Sequence, residues 1–274
     1  MPTLPSSGTP HSDDEPHQDR ELAESFGADA GRYDRARPDY PQALVDRVVA
    51  ESPGTDVLDV GVGTGIAARQ FQAAGCRVLG VDVDARMADV ARASGVDAEV
   101  APFETWDPAG RTFDAVVSAQ SWHWVDAVAG AAGAARVLRP GGRLAVFWNV
   151  FMPAPDLREA FADVHRRVLP DAPLNPWALG PLDAYEPLST KAADGMRQAA
   201  AFDPPEQWRF DWQRAYTRAQ WLDQLPTHGG TGRLPPATLA DLLSGIGTVI
   251  DTFGGGFTMG YATVVVTAAR TDSA

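Results

Sequence analysis

The 274-residue chain has one cysteine, Cys76, and one lysine, Lys191. A single cysteine excludes an intramolecular disulfide and a multi-cysteine metal site, and no metal is expected. Cations are scarce overall: 23 Lys and Arg stand against 36 Asp and Glu, a formal charge of −13. Nucleic acids and anionic membranes are held by clustered cations, so neither is expected as a partner. No apolar run approaches the about 20 residues of a membrane span. The Met-Pro-Thr start has no charged-then-apolar leader. A reducing cytoplasm is the default expectation, with a monomer or homodimer as the expected state. The lack of Lys beside abundant Ala and Arg reads as a coding bias. What the chain does have is ordinary globular composition, 45% apolar and 22% charged, and eight tryptophans.

The pattern along the chain predicts five segments. Residues 1–20 are rich in Pro, Ser, Asp and His without apolar periodicity, and read as a disordered tail whose His11 and His17 are solvated. Residues 21–50 turn helical. Residues 51–150 alternate strands with helices: strands at Asp56–Val60, Arg77–Val83, Ala98–Ala101, Phe113–Ser118 and Arg143–Val150, with helices at Ile66–Ala74, Ala85–Ala93 and Val125–Leu138. That alternation is the mark of an α/β fold with a parallel sheet and helices on both faces. Residues 151–205 lose the rhythm and read as a helical insertion, with helices near Asp156–Leu169 and Pro187–Ala201. Residues 206–274 supply a strand at Trp208–Ala215, helices at Arg218–Leu225 and Ala237–Phe253, and a last strand at Tyr261–Ala269.

The strongest motif is Val57-Leu58-Asp59-Val60-Gly61-Val62-Gly63-Thr64-Gly65, a buried strand running through closely spaced glycines into a helix. Glycines allow a sharp bend and close approach of a ligand, and the helix start offers N–H groups. A dinucleotide site wants glycine at the first, third and sixth positions; here the third glycine is fifth and Ile66 is sixth, which counts against a nicotinamide or flavin. Asp82 ends the second strand, where a carboxylate can accept from both ribose hydroxyls.

With these motifs, with Phe113-Asp114-Ala115-Val116-Val117 and with Arg136-Val137-Leu138-Arg139-Pro140-Gly141-Gly142, the chain resembles the class I S-adenosylmethionine-dependent methyltransferases. Tyr33, Arg37-Pro38, Tyr40-Pro41 and Ser121-Trp122-His123-Trp124 resemble a small-molecule branch of the trans-aconitate methyltransferase kind. The resemblance implies a Rossmann-like, seven-stranded, mostly parallel sheet with an antiparallel last strand and a helical lid insertion. It implies S-adenosyl-L-methionine as cofactor, bound in the 51–150 core. By the same resemblance Gly61, Gly63 and Gly65 pass under the methionine and ribose, Asp59 orients the loop or the amino group, and Asp82 holds the ribose. Val83 and Met87 pack near adenine, Phe103 flanks its ring, and Gln120 faces the methionine. Many relatives carry Asp before the Phe103 position; this chain has Pro102, which leaves Glu104, backbone or water to meet the adenine amine. Tyr33 and Arg37 lie in the N-terminal segment that closes over the cofactor in relatives.

Methyl transfer from a sulfonium is an in-line displacement, and a base is needed only when the nucleophile carries a proton. His123, after the fourth strand, is the first candidate base, and a hydrogen-bonding residue that shapes the pocket on the other reading. His228, in Thr227-His228-Gly229-Gly230, is the second candidate, or part of a surface loop. Trp122 and Trp124 offer aromatic faces to a sulfonium or a substrate, or pack in the core. Trp148 and Asn149 end the fifth strand at the expected rim, and Tyr40 joins them as a substrate-side residue. Some of Trp177, Tyr185, Trp208, Trp212, Tyr216 and Trp221 are expected to line an acceptor pocket. The reading is methyl transfer to a small, partly apolar molecule, with oxygen favoured. A different use of the same cofactor, such as intramolecular alkylation, or a non-catalytic cofactor-binding protein, are the alternatives.

Overall fold

The computed structural model describes residues 24–172, 174–180 and 182–271; the expected tail, with His11 and His17, lies outside them. Two short helices, α1 (Ala30–Ala36) and α2 (Gln42–Ala50), precede β1 (Asp56–Val60). Then follow α3 (Ile66–Ala73), β2 (Arg77–Asp82), α4 (Ala85–Ala93), β3 (Asp97–Val100), β4 (Phe113–Ala119), α5 (Ala127–Val137) and β5 (Leu138–Met152). The rest is α6 (Pro155–Val168), α7 (Glu186–Ala199), β6 (Glu206–Thr217), α8 (Arg218–Gln224), α9 (Pro236–Thr252) and β7 (Gly256–Ala269).

The strands form one seven-stranded sheet in the order β3-β2-β1-β4-β5-β7-β6. β1 pairs in parallel with β2 and β4, β2 with β3, and β4 with β5. The last strands run antiparallel. The seven strands and mixed direction are those the sequence reading predicts. All but the first residue of β1 are buried, which is why a central parallel strand reads as an unbroken apolar run. The order reverses between β1 and β4, and in open α/β sheets ligands bind beyond the carboxyl ends of the strands at such a switch point. Local chemistry starts the helices there: Asp84 caps α4 through the Arg86 N–H at 2.9 Å, and Asp126 caps α5 through Val128 and Ala129.

One boundary differs from expectation. Pro140-Gly141-Gly142 was expected as a turn ahead of a strand starting at Arg143. The structure starts β5 at Leu138, with Gly141 at φ 73°. Phe113 pairs with Leu138 while Ala115 pairs with Arg143, so the motif forms a bulge inside the strand.

The chain divides into two units. The first, here the aromatic unit, holds the chain to Arg37, Val150–Glu186 and Asp211–Ala262. Its core gathers Phe151, Phe161, Trp177, Tyr216, Trp221 and Tyr261 with Leu157, Leu242, Ile246 and Ile250. The second, the glycine-turn unit, holds Pro38–Asn149, Pro187–Phe210 and the chain from Thr263. Its core includes Leu44, Val57, Phe71, Ala115, Val117, Phe147 and Val265. The expected insertion, 151–205, is therefore shared out between the units at Glu186 and Pro187.

Candidate active site

In the glycine-turn unit, β1 leads directly into Gly61, Gly63 and Gly65, at φ 69°, 54° and 88°. These are left-handed conformations that side chains resist. Gly61 and Val62 donate to the Val81 carbonyl at 2.8 and 3.2 Å, and the Gly65 N–H closes the turn on Val62. A Cβ on Gly61 would stand 2.5 Å from the Ser121 side chain, so the turn and the loop after β4 approach too closely for any side chain. Ser121 in turn donates to the Val60 carbonyl at 2.8 Å and meets Ser118 at 2.7 Å. Gly80 is constrained in the same way, since its Cβ would fall 2.6 Å from Val62.

Two carboxylates flank this cradle. Asp82 accepts from the Gly63 N–H at 2.7 Å on one oxygen and from the Asp84 N–H at 2.9 Å on the other. A carboxylate has about four acceptor sites, so each oxygen keeps capacity for a hydroxyl. Burial pushes the Asp82 carboxyl up, and its backbone donors Asp84, Gly63 and Val83 work against this. Asp59 is buried, and neither of its oxygens has a well-formed hydrogen bond, the Ala68 backbone N–H being the donor turned toward it. Burial, with the Asp82 charge nearby, pushes it up to about 8. A buried carboxylate without a well-formed bond costs on the order of 1–3 kcal/mol or more. A cationic ligand group beside the glycine turn relieves that cost. Thr64 Oγ1 and Trp122 Nε1, also buried and without partners, lie in the same two loops. The cradle that a Cβ would fill and the orphaned carboxylate together fit an adenosyl ligand bearing an amino group.

The loop after β4 is held tightly. Gln120 sits at φ 59°, a conformation that costs a non-glycine residue about 1–3 kcal/mol. Its N–H donates to Phe147 O, and its side-chain oxygen accepts the Asn149 N–H at 2.8 Å. Asn149 is buried; its amide donates to Asp39 O at 3.1 Å and accepts from Thr263 at 2.6 Å. Trp148, expected at the rim, is fully buried, which corrects its placement: its ring has no face to offer a substrate. Its indole N–H instead donates to His123 Nδ1 at 3.3 Å. That bond fixes the proton of the neutral His123 on Nε2. Burial holds His123 down at about 3. Trp124 packs against the His123 ring at 4.7 Å between centroids. Trp122 and Phe103 are buried and face each other at 6.4 Å. Glu104 accepts the Asp126 N–H at 3.0 Å, so one of its oxygens serves α5. Met87 is buried and brings its methyl to 3.5 Å of the Gly63 Cβ position. Tyr40 packs edge-on against Phe147 at 4.9 Å, and its backbone is clasped by Gln70 through bonds of 2.9 and 2.7 Å. Trp208 belongs to this unit's core, with Arg47 over its ring at 3.8 Å, and lines no acceptor pocket. Trp106, which had no expected role, donates to Glu99 at 2.6 Å.

Tyr33, Arg37 and His228 belong to the aromatic unit. Arg37 lies over the Tyr33 ring at 4.9 Å and donates to the Thr227 carbonyl at 3.2 Å. His228 is not in a flexible surface loop: it is buried against Phe151 and Trp221 and meets the Gln224 amide nitrogen at 3.2 Å. Burial, with Arg37 nearby, holds it well below its usual range. Ser118, Ser121, Gly80, Gln70 and Gln224 were not anticipated. Only Gln224 had a usable signal, its i, i+4 spacing from His228. Among the described residues no three His, Cys, Asp or Glu are grouped to hold a metal, and no helix is long and apolar enough to cross a membrane.

A glycine turn after β1, a carboxylate ending β2 and a switch point between β1 and β4 are features with which open α/β sheets hold nucleosides. The comparisons make this specific. Residues 58–146 match the family model described as a methyltransferase domain. The chain is 40% identical over 133 residues to an uncharacterised methyltransferase of Mycobacterium tuberculosis, covering 47% of this chain and 54% of that protein. It is 32% identical over 150 residues to the malonyl-[acyl-carrier protein] O-methyltransferase of Enterobacter lignolyticus, covering 50% of this chain and 60% of that protein. The chain thus spans only a little over half the length of these curated relatives. A structure from Anaeromyxobacter dehalogenans, described as a type II methyltransferase, shares the fold with a TM-score of 0.58 at 22% identity over 85% of this chain and 97% of that one. Residues 58–146 are thus similar to a methyltransferase domain, and the chain shares the fold of solved methyltransferase structures.

Proposed function

We propose that the chain transfers a methyl group from S-adenosylmethionine to a small, partly apolar molecule through an oxygen atom. The observation that carries the cofactor half of this reading is Asp59, a buried carboxylate without a well-formed hydrogen bond beside the glycine turn. The cofactor, when bound, supplies a methyl group on a sulfonium and so an activated leaving group. Asp59 meets its ammonium group, the Asp82 oxygens accept from its ribose hydroxyls, and Gly61, Gly63 and Gly65 let the backbone approach it. Ser121, Gln120 and Asn149 act as positioning residues, since their bonds tie the loops after β1, β4 and β5 together.

Oxygen is favoured by what the histidines do. His123 has its Nδ1 lone pair occupied by Trp148, and burial keeps it neutral. His228 is also held neutral. Neither is poised to take a proton near neutrality. A carboxylate needs no such base: its oxygen lone pair forms the new O–CH3 bond while the C–S pair leaves with sulfur, and no proton moves. The activity named for the Enterobacter relative is also an O-methyl transfer. The test is calorimetry with S-adenosylhomocysteine, followed by turnover with S-adenosylmethionine and a panel of small carboxylic acids and phenols. Binding and S-adenosylhomocysteine release support the reading. No binding sinks the cofactor assignment, and methylthioadenosine as product would show another reaction.

A further inference from the structure

We propose that β6 pairs edge to edge with the β6 of a second copy of this chain, giving a symmetric dimer whose two-fold axis passes at Phe210. The pairing requires no bound cofactor.

The sheet ends in two unlike edges. At one, β3 is four residues long, and the Arg92 guanidinium takes the Ala98 carbonyl at 2.9 and 2.8 Å. Short length and a charged cover keep an edge from pairing. At the other, β6 runs for 12 residues without proline or glycine, and among the described residues no strand lies beyond it. A long edge of this kind presents a row of backbone N–H and C=O groups to any strand that fits.

The side chains of β6 select that strand. Glu206-Gln207-Trp208-Arg209-Phe210-Asp211-Trp212-Gln213-Arg214 has the same residue classes outward from Phe210 in both directions, except that each charge is matched by its opposite. Because β6 is one continuous strand, these spacings are set by its own backbone. Antiparallel pairing about Phe210 sets Arg209 against the partner's Asp211, Glu206 against the partner's Arg214, and Trp208 against the partner's Trp212, each pair occurring twice. Side chains directly opposite stand about 4.5–5.5 Å apart, where opposite charges and aromatic pairs are favourable.

The faces agree as well. Gln207, Arg209, Asp211 and Gln213 are exposed on one face, while on the other Trp208 is buried and Phe210 and Trp212 are half-buried. A two-fold at Arg209 or at Asp211 would oppose like charges, and one between residues would set the polar face of one copy beside the aromatic face of the other. With two acidic and two basic residues the run is neutral, in a chain of charge −13, so two copies can meet there without the repulsion that the rest of the chain imposes. A contact of this self-complementary form closes on itself and gives a dimer rather than a fibre.

The test is sedimentation of the full chain from about 1 to 100 μM, where a dimer is expected. Arg209→Asp, at an exposed position, sets carboxylates opposite each other on both sides of the axis and should weaken the dimer at least about tenfold. Arg209→Asp combined with Asp211→Arg exchanges the charges and should restore the dissociation constant to within about threefold. Cross-linking reads the register. Cys76 is buried, so Gln207→Cys and Gln213→Cys each add one exposed thiol. Under mild oxidation a mixture of these two variants should form the 207–213 disulfide. Neither variant should cross-link alone, since equal positions in the two copies lie about 20 Å apart. A monomer throughout the concentration range overturns the proposal. So does a dimer that tolerates Arg209→Asp, or one in which position 207 cross-links to itself, since either places the contact elsewhere.

Discussion

The two units differ in the buried polar groups they leave unmet. In the glycine-turn unit the chief unmet group is the buried Asp59 carboxyl, which burial keeps protonated near neutrality. In the aromatic unit the unmet groups include Arg37 Nε, Trp221 Nε1 and His228 Nδ1, with a guanidinium among them. Folding selects against unmet buried groups, because each costs on the order of 1–3 kcal/mol. Each unit leaves both donors and acceptors unmet: Trp122 Nε1 stands with Asp59 in the glycine-turn unit, and Gln224 Oε1 stands with Trp221 Nε1 in the aromatic unit. The two buried histidines fit the same contrast. His123 has its lone pair satisfied by Trp148 and shapes its loop, whereas His228 keeps a ring nitrogen unpartnered.

The contrast is broken most completely by filling the glycine cradle. Gly61→Val places a branched side chain at φ 69° with its Cβ about where Ser121 already stands, 2.5 Å away. The loop after β4 must move, and S-adenosylhomocysteine affinity is expected to fall by at least about 100-fold, roughly 3 kcal/mol. Circular dichroism checks that the fold survives. Next is Asp82→Ala. Loss of a bidentate carboxylate acceptor is worth roughly 1.5–3 kcal/mol, so affinity should drop about 10- to 150-fold. Unchanged affinity would place the ribose elsewhere.

The contrast could be read only in part from the sequence. The cradle was legible because everything that makes it is local: an apolar strand, three glycines within five residues and a helix start. Asp82 was legible because one βα unit fixes its spacing. The partners of these residues were not. Trp148 and His123 are 25 residues apart and meet because β4 and β5 are neighbours, a fact that alternation along either strand does not contain. Trp208 follows a strand-like alternation, but that pattern does not say whether its inward face meets a ligand or Arg47. Asn149 was expected at the end of β5, but the strand runs on to Met152, and only the fold shows that Asp39 and Thr263 occupy its amide. The donors of the aromatic unit were least visible, since an unmet hydrogen bond is a property of three-dimensional neighbours.

Asp59 sharpens the contrast through pH. Its carboxyl is raised from the ordinary value near 3.8 to about 8, so the ligand-free fold holds a proton that the unfolded chain has lost. The stability this group contributes is full below about pH 4 and declines as pH rises toward 8. Asp59→Asn should therefore raise the ligand-free melting temperature by a few degrees at pH 8 and change it little at pH 4, a roughly 1–2 kcal/mol effect or more. A ligand amino group, with a pKa near about 7.7–8.0, is still cationic at pH 7. Pairing with it requires Asp59 ionised, so wild-type affinity should climb with pH from 5.5 to 7.5, approaching about tenfold per unit, and the Asn variant should lose that slope. A flat wild-type profile would mean that Asp59 does not meet the amino group.

The smallest expected effect separates the two histidines. If His123 only shapes its loop, His123→Gln keeps an acceptor for Trp148 and should lower turnover by less than about fivefold, where loss of a general base costs about 100- to 10,000-fold. Its pH behaviour gives a second readout. His123 is held at about 3 against an ordinary value near 6.5, so the unfolded chain takes up a proton that the fold refuses. The stability that depends on a neutral His123 is present above pH 6.5 and is lost as pH falls toward 3. His123→Gln should therefore flatten the acid limb of the melting profile while leaving the neutral limb nearly unchanged. A hundredfold loss of turnover with the acid limb intact would reverse the assignment and make His123 the proton acceptor.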